Sequence, residues 1–194
     1  MDDAAVLDTG QCQVETWSDI KRADARTLLH VGPACRVGPV ELGLNADRSR
    51  TEGTSQNIAG LQAKWAYALK PGLSAGLLVA LTALPGRPHN TSATVVVPVT
   101  WQPWEAIRVH LNLGRDMPEG TSSTAHAGIA VEAAATADWS FVGERFRESS
   151  ADAWRVGARW AISPKLNWDL SRAQGLGGRA PAWWTLGVTW VFAR

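Results

Sequence analysis

The sequence lacks any long apolar run. Its longest such stretches, Ala75–Leu81 and Ala93–Val99, fall well short of the ~20 consecutive apolar residues that a membrane-spanning helix needs, and Thr94 and Pro98 interrupt the second. This excludes helical membrane proteins. An excess of one charge is also missing, because nineteen basic side chains face eighteen acidic ones. A nucleic-acid-binding protein normally carries a clustered basic excess, so we expect no nucleic-acid partner.

Alternation of apolar and polar residues is the dominant local pattern. It runs through Val40–Asp47, Ile107–Leu113, Ala127–Ala133, Trp154–Trp160 and Leu166–Ser171. Period-two alternation predicts strands with one apolar and one polar face, and no window shows a comparable helical stripe. The sequence therefore predicts an all-β protein.

Turn-forming stretches of two sizes separate these strands and alternate along the chain. Short ones lie near 38–39, 70–72, 103–105, 137–138 and 163–165, and longer ones near 20–26, 50–56, 85–91, 115–123, 147–153 and 173–182. Eleven connections make twelve strands, with ten or fourteen as alternatives, and put both termini on the short-turn side. Because closure removes exposed sheet edges, we expect a closed up-and-down antiparallel β-barrel over residues 10–194, after a flexible segment at 1–9. The first residues form no signal peptide, so none is expected in this sequence.

The positions of the tryptophans indicate whether the apolar strand face points outward to lipid or inward to a core. The chain has eleven tryptophans but one tyrosine and three phenylalanines, and the tryptophans lie near the predicted strand ends. Indole prefers the membrane interface, and transmembrane barrels carry an aromatic girdle at each rim. The pattern therefore predicts a transmembrane barrel with its apolar face toward lipid. The predicted interface aromatics are Trp17, Trp65, Trp101, Trp139, Trp154, Trp160, Trp168, Trp184 and Trp190.

The last strand resembles the C-terminal β-signal of bacterial outer-membrane proteins. Thr185, Gly187, Trp190 and Phe192 take the positions of that motif, although Ala193-Arg194 follow the phenylalanine that usually ends it. The resemblance implies insertion into the bacterial outer membrane by the barrel-assembly machinery. Short turns and both termini would then be periplasmic, and the long loops extracellular.

The two cysteines, Cys12 and Cys35, lie on the predicted first hairpin. If its strands pair about a centre between Ala23 and Asp24, the two cysteines face each other within reach of a disulfide. Since the periplasm is oxidising, we expect a Cys12–Cys35 bridge near the periplasmic end.

Polar residues of both signs face the predicted lumen. Arg108, Arg155 and Arg159 are able either to form a basic track for an anionic solute, as in the narrow outer-membrane channels for acidic sugars that this architecture resembles, or to pair with acids. We expect a narrow passive channel for small polar or ionic solutes; the alternative is a non-conducting structural or partner-binding barrel. The candidate pore-lining residues are Glu41, Lys64, Arg108, His110, Glu132, Arg155, Arg159 and Asp169.

Enzyme and cofactor chemistry find little support in the sequence. A lipid-hydrolysing barrel enzyme remains an alternative, but no histidine has a serine two residues away on its own strand face, as a nucleophile–base pair there would need. No His-x-His or Cys–His spacing points to a metal or other cofactor. The expected partners are outer-membrane lipids and lipopolysaccharide. The sequence leaves the oligomeric state open.

Overall fold

The computed structural model of the chain is a closed barrel of twelve antiparallel strands. It describes residues 1–21, 26–86, 91–148, 151–177 and 181–193. The strands are β1 Gln11–Lys21, β2 Arg26–Val37, β3 Val40–Thr51, β4 Thr54–Lys70, β5 Leu73–Ala83, β6 Thr91–Trp104, β7 Ile107–Pro118, β8 Thr124–Ala134, β9 Trp139–Glu148, β10 Ala151–Ser163, β11 Leu166–Leu176 and β12 Ala182–Ala193. Among the described residues, no helix is long and apolar enough to cross a membrane.

Each strand pairs with its sequence neighbours, and β1 closes the barrel against β12. The seam is continuous from Gln11 opposite Ala193 to Lys21 opposite Trp183. The predicted all-β, up-and-down, twelve-stranded fold is confirmed, and ten or fourteen strands are excluded. With no edge left unpaired, the barrel avoids the aggregation hazard of an open sheet.

One of the connections that the sequence predicts to be long, between β3 and β4, is a tight turn. Strands extend into the polar stretches, so β3 and β4 are joined by Glu52-Gly53 alone. Both residues have positive φ, 46° and 83°, as a type I′ hairpin turn requires. The prediction of a long loop at 50–56 is therefore wrong. The polar residues on either side of Glu52-Gly53 belong to the ends of β3 and β4, so a polar stretch does not by itself mark a loop. We call the end that carries the 52–53 and 119–123 connections the loop end, and the opposite end the turn end.

Exposure defines the inner and outer faces of each strand. In β3, Leu42 and Leu44 are highly exposed, whereas Glu41 between the turn and Leu42 is buried. The same alternation, with the large apolar side chains on one parity, runs around the barrel. The exposed apolar parity is the outer face and the polar parity the inner face, the inverse of a soluble barrel and the arrangement of a transmembrane one.

Strand β9 corrects a second expectation. Phe141 and Phe146 lie on opposite parities, which predicts a bulge in this strand. The structure instead pairs β9 without a register shift against both β8 and β10. Phe141 faces outward, and Phe146 faces the lumen, where the Arg155 guanidinium lies 5.2 Å from its ring centroid. A cation in the lumen thus accommodates an aromatic ring on the polar, inner face of the strand.

A disulfide joins Cys12 and Cys35, as predicted. The two residues are direct partners in the β1–β2 ladder. Cys12 also opposes Phe192 across the barrel seam. The bridge therefore lies on the outer face at the turn end, next to the strand that carries the β-signal motif.

Candidate functional site: the barrel lumen

The N-terminal segment, residues 1–10, lies inside the barrel. The segment enters the lumen from the turn end, and side chains of six strands form hydrogen bonds with it. The sequence does not predict this position. The segment is held by side chains of other strands, so it needs no alternation of apolar and polar residues of its own.

Near the turn end, two charged side chains hold the backbone of Leu7. Its N–H donates to Glu41 Oε2 at 2.9 Å, and its carbonyl accepts from Arg36 Nη1 at 2.8 Å. Glu41 is 5% exposed. Glu41 is one of the predicted pore-lining residues, and its carboxylate is committed to the segment rather than to an open channel.

Further into the lumen, Asp3 and Ala4 contact two nearby strands of the wall, β4 and β6. Lys64 Nζ donates to Asp3 Oδ1 at 2.8 Å. The Ala4 N–H donates to Thr100 Oγ1 at 2.8 Å, and the Thr100 hydroxyl lies 3.0 Å from His110 Nδ1. Ala4 is only 3% exposed. These contacts fix the segment between β4 and β6–β7.

The deepest contacts lie near the middle of the strands. Asn112, which is 0% exposed, is oriented so that its amide accepts from the Asp2 N–H at 2.8 Å and donates to the Asp2 carbonyl at 3.0 Å. The amino group of Met1 lies 3.4 Å from Glu144 Oε2. A buried amide that meets both backbone groups of one residue acts much like a neighbouring strand. The segment thus occupies the lumen from the turn end to about mid-height.

The luminal arginines pair with acids. Arg108 binds Glu132 at 3.1 Å, Arg155 binds Glu144 at 3.0 Å, and Arg159 binds Asp169 at 2.7 Å. His110 lies 3.7 Å from the same Glu132. Of the two arrangements left open by the sequence, the structure has the paired one. All eight candidate pore-lining residues lie on the inner parity of their strands. Glu144 and Thr100 also line the lumen but are not among the candidates predicted from the sequence.

Above the segment, the lumen carries aromatic side chains. Trp17 stacks on His30 with ring centroids 4.8 Å apart, and His30 Nδ1 lies 2.6 Å from Asp47 Oδ1. Lys21 Nζ lies 4.7 Å from the ring centroid of Trp183, as in a cation–π contact. The prediction of Trp17 as a membrane-interface residue is wrong. Trp17 lies on the same face of β1 as the inward-facing Glu15 and Asp19, so its indole points into the lumen. The other eight predicted interface tryptophans are exposed on the outer face.

The acidity of Asp3 follows from its place beside Lys64. Burial opposes ionisation of this carboxyl, but the charge and hydrogen bond of Lys64 outweigh the burial, so the pKa of Asp3 lies below its usual value. Asp3 therefore remains ionised, and the contact intact, through the neutral and mildly acidic range.

The predicted assembly motif builds one side of the seam. Thr185 donates its hydroxyl proton to Asp19 on β1 inside the barrel, while Trp190 and Phe192 pack against each other on the outer face at 4.9 Å. A Cβ at Gly187 would lie 3.5 Å from both Trp17 and Asp169. Among the described residues, no three potential metal ligands come together.

Comparison with known proteins identifies the family. The family described as "Uncharacterised conserved protein UCP029691" matches residues 1–192. The chain belongs to this UCP029691 family. No curated protein matches it in sequence.

Solved structures share the barrel of this UCP029691 protein. The COG4313 outer membrane channel from Pseudomonas putida F1 superposes with a TM-score of 0.77 at 12% identity, covering 98% of each chain. A KdgM porin gives 0.71 at 11% identity, over 93% of this chain and 99% of its own. A NanC porin gives 0.69 at 9% identity, over 91% and 98%. At such identities the likeness shows the fold, which is that of bacterial outer-membrane barrels.

Proposed function

We propose that this protein is a narrow passive channel of the bacterial outer membrane for small polar or ionic solutes. The observation that carries the proposal is the inner wall, where charged and hydrogen-bonding side chains of both signs follow the strands through an apolar outer shell. An apolar exterior with a polar interior supports a water-containing passage. The solved barrels of similar shape are described as porins or channels.

The ion pairs point to small solutes of either charge sign rather than to one class of anion. A KdgM porin has been solved with oligogalacturonate, an acidic sugar, but here Arg108, Arg155 and Arg159 each meet a carboxylate. Paired arginines present little net field to a passing anion. We therefore expect weak selectivity between anions and cations.

The orientation belongs to the same proposal. Short turns and both termini of transmembrane barrels normally face the periplasm, with loops outside. The N-terminal segment would then fill the periplasmic half of the passage. Insertion would use the barrel-assembly machinery, as the likeness of β12 to the β-signal implies.

A non-conducting barrel is the second candidate, and the N-terminal segment is the observation that favours it. Six strands hold the segment through side chains, and a plug of this kind narrows or closes the passage. On the channel hypothesis, the segment limits conductance and its removal enlarges the pore.

Planar-bilayer recording of the refolded protein separates the two candidates. We expect discrete small steps from the intact chain and larger steps from a chain that begins at Gly10. A matched control replaces Asp8, whose exposed side chain lies outside these contacts, with asparagine. If neither the intact nor the shortened chain conducts ions, although gel mobility shows that both are folded, the channel hypothesis is rejected.

A further inference from the structure

Positive charge on the outer face is concentrated at one end. Six exposed arginines lie on the outward parity in the loop-side half of the described strands, whereas the same face in the turn-side half carries one charged strand residue, Lys70, opposite Leu73. They are Arg48, Arg50, Arg115, Arg145, Arg147 and Arg172. Only one of them pairs with an acid in the described part of the barrel, Arg147 with Asp152. In the proposed membrane orientation, this outer arginine belt would lie at the level of the lipid headgroups, whose phosphates are suitable counterions for guanidinium groups.

Below Arg48 and Arg50, the outer wall is hollowed. A groove of about 930 Å³ crosses β2 to β7. Its floor holds the small side chains Ala46, Ala59 and Ala83, which are joined by direct strand pairing. Leu44, Leu61 and Leu81 form the neighbouring row. These leucines are more than half exposed, so the groove opens to the membrane and not to the lumen.

Arg48 and Arg50 stand directly above this groove. Arg48 follows Ala46 by two residues on the same face of β3, and Arg50 follows by four. Arg48 Nε donates to Ser55 Oγ at 3.1 Å, which holds the side chain at the loop-side rim. Arg115, across the groove on β7, lies near Ser123 in the same way, at 3.4 Å. One carboxylate, Glu119, also lies at the rim, where it accepts from Thr91 at 2.7 Å.

We propose that this groove and its arginines form a binding site for lipopolysaccharide, with acyl chains in the groove and lipid A phosphates on Arg48 and Arg50. Guanidinium groups bind phosphate oxygens in a bidentate manner that lysine does not reproduce. Lipopolysaccharide is favoured over a phospholipid because the site combines a wide apolar groove with several cations, as a ligand with several acyl chains and more than one phosphate requires. The assignment rests on the proposed outward orientation of the loops.

Titration of the refolded, detergent-solubilised protein tests this site. The probes are rough-strain lipopolysaccharide, the same lipopolysaccharide after phosphatase treatment, and phosphatidylglycerol, with binding measured by native mass spectrometry. We expect lipopolysaccharide to bind more tightly than either other probe. The double variant Arg48→Gln/Arg50→Gln should weaken it about tenfold or more, since each charge-assisted contact to a phosphate is strong.

Two further variants make the result specific. Ala59→Phe fills the groove floor without changing charge and should also weaken binding. Arg172→Gln removes an arginine of the same belt that lies on β11, away from the groove and over Trp184, and should leave binding unchanged. Equal affinity for phosphatidylglycerol, or equal losses with Arg172→Gln and the double variant, would overturn the proposal. A barrel that is silent in bilayers but binds in the expected pattern keeps this site and rejects the channel.

Discussion

At the scale of single residues, the lumen is organised by contacts to backbone rather than by charge alone. Asn112, Glu41 and Arg36 all use their side chains to satisfy N–H and carbonyl groups of the N-terminal segment. A chain segment in a lumen must have its polar groups met by the wall or by water. The wall supplies these partners, which is why the segment adopts one path.

The Asp3–Lys64 contact makes occupancy of the lumen depend on pH. Because the pKa of Asp3 is lowered, its ionised form is stabilised in the lumen; that stabilisation is present at neutral pH and is lost as the pH falls through the lowered pKa. We expect bilayer conductance of the intact chain to rise only in strongly acidic buffer. Asp3→Asn should show the raised conductance already at pH 7. Matching pH profiles for Asp3→Asn and the Asp8→Asn control would contradict this.

Gly114 marks a close approach of strands β6 and β7. A Cβ at this position would lie 2.1 Å from the carbonyl oxygen of Val95, so Gly114→Ala must shift the backbone. We expect a loss of about 1–3 kcal/mol in unfolding free energy, the usual cost of overpacking, measured by guanidinium titration. Gly143→Ala is the matched control, since a Cβ there meets nothing within 4 Å. Equal midpoints for the two variants would show that the β6–β7 contact is not tight.

At the scale of elements, strand existence and number follow from sequence, whereas loop lengths and the path of the N-terminal segment do not. Alternation and turn residues predict β1 to β12 because each strand has a polar inner face and an apolar outer face. The 50–56 stretch was misjudged because Glu52-Gly53 makes the whole turn while polar neighbours remain in strands. The fold-back of residues 1–10 depends on partners from six strands that local sequence does not bring together.

The β1–β2 hairpin yields a prediction for the Cys12–Cys35 bridge. The cysteines are separated by 23 positions, and a loop of about this size is worth roughly 3 kcal/mol when closed by a disulfide. We expect the Cys12→Ser/Cys35→Ser variant to lose about this much unfolding free energy, measured by urea titration. The circular dichroism spectrum of its folded state should be unchanged. A double variant as stable as the oxidised protein would show that the bridge does not stabilise the β1–β2 hairpin.

At the scale of the whole molecule, tryptophans divide into three groups. Seven exposed indoles surround the turn end, two lie on the outer face at the loop end, and Trp17 and Trp183 lie inside. At the turn end, Trp139 and Trp160 stack at 5.7 Å. The girdle is therefore strong on one rim, and the arginine belt occupies the other.

Fluorescence in lipid vesicles tests this placement. Lipids brominated near the headgroup should quench most of the tryptophan emission, and lipids brominated near the chain ends should quench less, because indoles of the girdle lie at the interface. Trp17→Phe should leave the amount of headgroup-quenched emission unchanged, whereas Trp101→Phe, at an exposed girdle position, should reduce it. The reverse order for these two variants would place Trp17 on the lipid side.

The position of the disulfide also bears on the order of assembly. Cys12 is 3% exposed and shares the outer face with Phe192 and Trp190, so neighbouring side chains shield its sulfur in the closed barrel. With the barrel in the proposed membrane, lipid would cover this face as well, and the bond would form most readily while the first hairpin is still in the aqueous compartment. A complete bridge in protein extracted from membranes would then show that β1 and β2 had paired before the barrel closed.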